Sequence, residues 1–121
     1  MGSPHTYNHR FADAAGNILA DPGASGTIKT DTRFSSHCQI VTAAAESRAL
    51  ADPAFVGQQL TLSMKTDGGD ATVTADSAIN SSGDTICTFA AIGELLKLES
   101  VEDGDDNLEW RVIVADGCTL S

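Results

Sequence analysis

The sequence predicts an all-β fold, a small antiparallel β-sandwich or barrel, or else a solenoid-like stack, carrying an extended N-terminal arm. Three observations predict it. From Leu60 to Ala75 apolar residues alternate with polar ones: Leu60, Leu62 and Met64 with Thr61, Ser63 and Lys65, then Ala71, Val73 and Ala75 with Thr72 and Thr74. A period of two puts alternate side chains on opposite faces of a strand. Short runs of this kind then recur as far as Val114, separated by turns rich in Gly, Asp and Ser, which is the spacing of a small all-β domain. Before Phe34, by contrast, the chain holds Gly, Pro, Asn, Asp and Ala with little periodicity.

Residues 1–34 are accordingly expected to form the arm and residues 35–121 the compact β-domain. Asp21-Pro22-Gly23 marks a turn within the arm. An arm of this composition stays ordered only if the body or a neighbour holds it, so it reads as an assembly contact. Cys38 to Thr42 suits a strand, whereas Ala43-Ala44-Ala45-Glu46-Ser47-Arg48 has helix propensity but is too short for an independent helix; the flanking strands favour β. Asp52-Pro53 breaks the chain. The Leu60–Ala75 stretch is expected to be a β-hairpin, because Asp67-Gly68-Gly69-Asp70 tolerates the positive φ of a tight reversal.

Further strands are expected at Ile86 to Phe89, Leu95 to Val101 and Leu108 to Val114, with turns at residues 81–84 and 92–94 and an acidic loop at 102–107. Leu108, Trp110, Val112 and Val114 share one face. Aromatic residues make up only 5% of the chain. The expected core therefore rests on Leu60, Leu62, Met64, Val73, Leu96, Leu98, Trp110 and Val112, with Trp110 packing against Leu96 and Leu98.

Bulk properties narrow the function. At 121 residues the chain is one domain, with a modest core that oligomerisation can supplement. Seven Lys and Arg against 17 Asp and Glu give a formal charge of −10, which repels phosphate backbones and anionic membrane surfaces; neither nucleic acid nor membrane is an expected partner. No run approaches the roughly 20 apolar residues of a membrane span, and the opening Met-Gly-Ser-Pro-His lacks the blocks of a signal peptide, so a soluble, intracellularly made protein is expected. Cys38, Cys87 and Cys118 show no Cys-x-x-Cys spacing and read as buried thiols; any one pair is free to bridge.

Candidate chemistry is sparse. Glu102, Asp103, Asp105 and Asp106 surround Gly104 and offer oxygen ligands for Ca²⁺, but their spacing is not that of an EF-hand, and a solvated, charge-rich turn is the favoured account of them. Asp67 and Asp70 read the same way. His5 and His9 stand four apart and His37 adjoins Cys38, a zinc set only if residues 5–9 were helical, which Pro4 and the Gly- and Asn-rich context oppose. No Gly-x-Ser-x-Gly elbow and no phosphate-binding loop is present; Thr66-Asp67-Gly68-Gly69 lacks the Lys-Ser or Lys-Thr such a loop needs. A glycosidase-type pair of carboxylates has no feature to single it out. No cofactor, metal or catalytic residue is assigned, and the expectation is a non-enzymatic protein.

From Arg48 onward the order of features resembles a group of small all-β bacteriophage virion proteins. The residues that carry the likeness are Arg48-Ala49-Leu50-Ala51-Asp52-Pro53, Gly57-Gln58-Gln59-Leu60-Thr61-Leu62 and Asp67-Gly68-Gly69-Asp70-Ala71-Thr72-Val73-Thr74. They continue with Thr88-Phe89, Gly93-Glu94-Leu95-Leu96-Lys97-Leu98 and the closing run from Trp110 to Ser121. The resemblance implies no catalytic residues. It implies a capsid cement or decoration protein on the outer surface of a virion, binding the major capsid protein as a homo-oligomer, commonly a trimer. The N-terminal arm would then face the capsid, through His5, Tyr7, His9, Arg10 and Phe11. A head or tail fibre component is the alternative within that group. A carbohydrate-binding β-module is the alternative outside it.

Overall fold

A computed structural model describes residues 17–121. Ten strands follow one another: β1 (Ile18–Leu19), β2 (Gly26–Ile28), β3 (Ser35–Thr42), β4 (Glu46–Leu50), β5 (Gln59–Asp67), β6 (Ala71–Ala75), β7 (Ile86–Phe89), β8 (Leu95–Glu102), β9 (Leu108–Asp116) and β10 (Thr119–Leu120). No helix occurs among the described residues. The strands form two five-stranded sheets, in the orders β1-β3-β5-β8-β9 and β10-β7-β6-β4-β2. The all-β architecture expected from the sequence is therefore present, with mixed rather than purely antiparallel pairing.

The first six strands come as three pairs, β1 with β2, β3 with β4, and β5 with β6. Each pair is joined by a connection that crosses from the first sheet to the second. β1, β3 and β5 run parallel in the first sheet; β2, β4 and β6 run parallel in the second. The chain thus lays down three β-arches one on another, and antiparallel strands complete the stack: β7 on β6, β8 on β5, β9 on β8 and β10 on β7.

This corrects the expected hairpin. The strands lie where the alternation puts them, but β5 and β6 belong to different sheets and do not pair. Alternation identifies a strand and its buried face; it does not identify the partner. Here Leu60, Leu62 and Met64 on one sheet and Ala71, Val73 and Ala75 on the other are all buried between the two layers. The glycines are also needed for a different reason. Neither Gly68 nor Gly69 has a positive φ. A Cβ on Gly68 would run into the Thr42 carbonyl and Ala43, and one on Gly69 into the backbone of Ala44 and Ala45. Space sets the requirement, because the third arch packs directly on the second.

That contact explains Ala43-Ala44-Ala45, which forms neither helix nor strand but the crossing between β3 and β4. The two arches are sewn together by hydrogen bonds. Gly68 N–H donates to the Thr42 carbonyl (3.0 Å) and Glu46 N–H to the Asp70 carbonyl (2.9 Å). Thr42 Oγ1 donates to the Gly69 carbonyl (2.6 Å) and accepts from Gly68 N–H (3.1 Å).

The boundary at residue 34 moves. β1 pairs with β3 and β2 with β4, and Leu19 and Ile28 join the core, so residues 17–34 are the first arch of the body and not part of an arm. Strands of two and three residues are too short to show a period, and their order comes from the neighbours they pair with. The rest of the expected arm, with His5, Tyr7, His9, Arg10 and Phe11, lies outside the described residues.

Of the expected core residues, Leu60, Leu62, Met64, Val73, Leu96, Leu98 and Trp110 are buried, while Val112 is only partly covered, at the margin of the core. Register places Ser100 rather than Leu96 opposite Trp110 and sets Leu98 opposite Val112. The indole Nε1–H of Trp110 donates to the Ala51 carbonyl (2.8 Å), fastening the crossing that leads out of β4. Gln58 does similar work with a fully buried side chain: its Oε1 accepts from Ala54 N–H (2.7 Å) and its Nε2 donates to the carbonyls of Arg33 (2.5 Å) and Asp31 (3.3 Å).

Two substitutions test this packing by chemical denaturation. Gly69→Ala is expected to cost about 1–3 kcal/mol, as overpacking does, although a positive-φ turn would not be at stake. Trp110→Ala is expected to cost about 3–5 kcal/mol; a loss under about 1 kcal/mol would mean that the ring is not part of the core.

Candidate functional site

The strongest polar constellation between the sheets was not foreseen from the sequence. Arg48 points inward from β4 with a side chain that is 0% exposed. Its Nε donates to Asp21 Oδ1 (2.7 Å) and its Nη2 to Asp21 Oδ2 (2.9 Å), a two-pronged pair. Nη2 also meets Glu46 Oε1 (2.9 Å) and the Val41 carbonyl (3.1 Å), and Nη1 reaches the Ser47 carbonyl (3.2 Å). Asp21 in turn accepts from Val41 N–H (3.0 Å) and Gly23 N–H (3.4 Å). A residue in the first crossing is thereby clamped to both strands of the second arch.

The electrostatics follow from these contacts. Burial by itself would raise the Asp21 pKa, but hydrogen bonds from Arg48, Val41 and Gly23 outweigh it and hold the carboxyl below its usual range. The Ala43 N–H, with Arg48, holds Glu46 low as well. The bond to Asp21 keeps the guanidinium charged against the cost of its burial. Every charge in the cluster is paired, and none is left to accept or deliver a proton in a reaction. Its role is structural.

The acidic loop is the turn between β8 and β9. Asp103 accepts from Asp105 N–H (2.8 Å), Asn107 N–H (3.0 Å) and Asn107 Nδ2 (3.3 Å), so this carboxylate is spent on shaping its own loop. Those backbone donors, Asn107 first, hold its pKa low. An open cleft of about 530 Å³ lies beside it, lined by Asp52, Pro53, Ser77, Asp103, Asp106, Asn107 and Leu108. Among the described residues, no three His, Cys, Asp or Glu side chains come together as a metal site. His37 and Cys38 point to opposite faces of β3, and His37 Nε2 is paired with Ser63 Oγ (2.8 Å) on the outer face. Among the described residues no helix is long and apolar enough to cross a membrane.

The outer surfaces differ. On the first sheet, His37, Thr61, Lys97 and Val114 line up across four strands. On the second, Ser47, Thr72 and Thr88 form one row with Thr119, and Thr27, Ala49, Thr74 and Ile86 form the next. Neither of these two rows carries a charge, although the whole chain stands at −10.

The two ends of the stack differ more. At one end the sheets finish in β1 and β2, two and three residues long. At the other, the first sheet finishes in β9, a nine-residue strand with no strand partner beyond β8 among the described residues, although its Val112 N–H donates to the carbonyl of Ile79 (2.8 Å) in the connection between β6 and β7. Its partner on the second sheet, β10, has two residues. Ile79, buried in the core, closes part of the gap between the sheets here, and Val112, Cys118 and Leu120 are only partly covered. A bulge between Lys97 and Leu98 leaves Ile113 as an extra residue on β9; it is 54% exposed, and Val114 is 44% exposed. Apart from the Val112–Ile79 bond, this is a long edge with no strand partner and with apolar side chains, a template for another chain.

The clamp sets a pH dependence. Asp21 and Glu46 both titrate lower in the folded chain than in the unfolded one. Their contribution is therefore fully present above the unfolded carboxylate values near about 4 and is lost as pH falls through the lower folded values. Thermal unfolding followed against pH is expected to stay level from neutrality to about pH 5 and to fall steeply below about pH 4. Asp21→Asn is expected to cost about 3 kcal/mol at neutral pH, since it strips a buried cation of its partner, and to flatten the acid limb. Compared with known proteins, the chain matches no family model and no curated protein.

Proposed function

We propose that this chain is a non-enzymatic structural protein of a bacteriophage particle, a cement protein that binds the major capsid protein on the outer surface of the shell as a homo-oligomer of three copies. The observation that carries an assembly role is the nine-residue β9 edge at the partly covered end of the sandwich, with Ile113 and Val114 in solvent. Such an edge is completed by adding a strand or a packed surface from another chain. The sequence resemblance over residues 48–121 supplies the particle. The scaffold suits that role, since stacked arches make a stiff block and acidic loops keep it from collapsing onto its own kind. Many copies on one shell would turn modest contacts into tight attachment. A sugar-binding role has less to stand on, because Trp110 and Phe89 are buried and, among the described residues, Phe34 is the one aromatic ring with most of its surface in solvent.

Light scattering of the purified protein, with its copy number in an isolated particle, tests the reading. Three copies per assembly and hundreds per particle are expected. A monomer that binds no shell would overturn it, and a few copies at one position would move the protein to the tail. Val114→Lys and Ile113→Lys on the β9 edge are expected to leave the fold intact by circular dichroism and to weaken assembly about tenfold, near 1.4 kcal/mol.

A further inference from the structure

We propose that Cys87 and Cys118 form a redox-closed cross-link that fastens the C-terminal strand over the partly covered end of the sandwich. The sequence left three pairings of Cys38, Cys87 and Cys118 equally open; the fold leaves one. Cys38 lies on β3 in the first sheet, with its Sγ against the Ala20 carbonyl (4.0 Å) beside the Arg48 clamp. Cys87 lies on β7 and Cys118 just before β10, and those two strands pair with Leu120 opposite Cys87 and Thr119 opposite Thr88. Cys118 is thus the diagonal neighbour of Cys87 on the inward side, and both pack against the same core.

In the reduced chain the Cys118 thiol donates to the Leu95 carbonyl on β8 (3.3 Å), a bond it gives up on turning to Cys87, and each of the two thiols bears on the other's titration. Diagonal neighbours across antiparallel strands stand about 7–8 Å apart at Cα, slightly beyond the span of a disulfide. The remaining movement falls on an element that yields easily. β10 has two residues at the chain end, and Gly117, with φ of 83°, forms the corner that precedes Cys118. What holds β10 now is a short ladder, in which Ser121 N–H donates to the Ile86 carbonyl (2.9 Å) and the Ser121 carbonyl accepts from Thr85 and Ile86 N–H (3.0 Å each).

Access sets the order of events. Cys87 is buried, whereas Cys118 is partly exposed. With a small-molecule disulfide such as oxidised glutathione as oxidant, Cys118 loses its proton and its sulfur attacks one glutathione sulfur. The oxidant's S–S bond breaks, and the departing glutathione thiolate takes up a proton. Cys87, deprotonated in its turn, then attacks the Cys118 sulfur from within the core, and the mixed disulfide breaks to release the second glutathione. Two protein thiols are oxidised, and one disulfide is reduced to two thiols. Burial pushes the thiol pKa of Cys118 up and that of Cys87 up further, so exchange is slow near neutrality and quickens as pH rises. The inference rests on the strand register and not on the virion reading, so either can fail without the other.

The test is incubation of the full chain with oxidised glutathione, followed by non-reducing peptide mapping and thermal unfolding. The expected product is an intramolecular Cys87–Cys118 peptide pair, lighter by two hydrogens, with a melting temperature raised by about 10 °C and restored by dithiothreitol. Cys38→Ser is expected to keep the cross-link and the shift, and Cys118→Ser to lose both. A cross-link through Cys38, a disulfide between two chains, a mixed disulfide that never closes, or a closed cross-link with no thermal shift would each overturn the proposal.

Discussion

The structure depends on one constraint: each of the first three strand pairs must cross between two sheets and stack on the pair before it. A crossing chain buries its two inward rows against each other, as Leu60, Leu62 and Met64 do with Ala71, Val73 and Ala75. Once the arches stack, the crossings stack too, and little room is left between them. Gly68 and Gly69 lie where any Cβ would strike the Ala43–Ala45 crossing beneath. The parallel register on both sheets follows from that stacking, because equivalent residues of successive arches meet at a strand's spacing.

Arg48 makes the register specific. Moving a guanidinium out of water is costly, and a buried ion pair need not raise net stability. This pair is satisfied on every side, and its partner Asp21 belongs to a different arch. A slip of β4 by one residue against its neighbours β2 and β6 would turn Arg48 to the outer face and leave Asp21 without a cation. In a chain with 17 acidic and seven basic residues, placing one cation inside against two carboxylates is a strong discriminator among possible stackings.

The two ends of such a stack face the same problem, since the last strand always exposes an edge. At the β1 and β2 end the strands shrink to two and three residues. At the β9 end the strand is long, the opposing β10 is short, and partly covered apolar residues lie between them. The proposed assembly surface and the proposed Cys87–Cys118 cross-link both lie at this end, where apolar residues of the core are only partly covered.

Most strands were legible in the sequence. The alternation in residues 60–64, 71–75, 86–89, 95–101 and 108–114 depends only on neighbouring residues, and it marked the strands and most of the buried side chains, Trp110 included. A hairpin and an arch, however, give the same alternation, and only the partner strand, far away in sequence, distinguishes them. The two strands of the first arch were invisible for a related reason: two or three residues have no period, and β1 and β2 exist because β3 and β4 lie beside them. Asp21 and Arg48, 27 residues apart, look like two surface charges until the arches stack. What the sequence by itself determined was the all-β class and which face of each longer strand is buried, because those are local properties of the chain. What only the tertiary structure decided was the pairing, the Arg48 clamp, the spatial meaning of Gly68-Gly69 and the proximity of Cys87 to Cys118, because each arises from contacts between residues far apart in the chain.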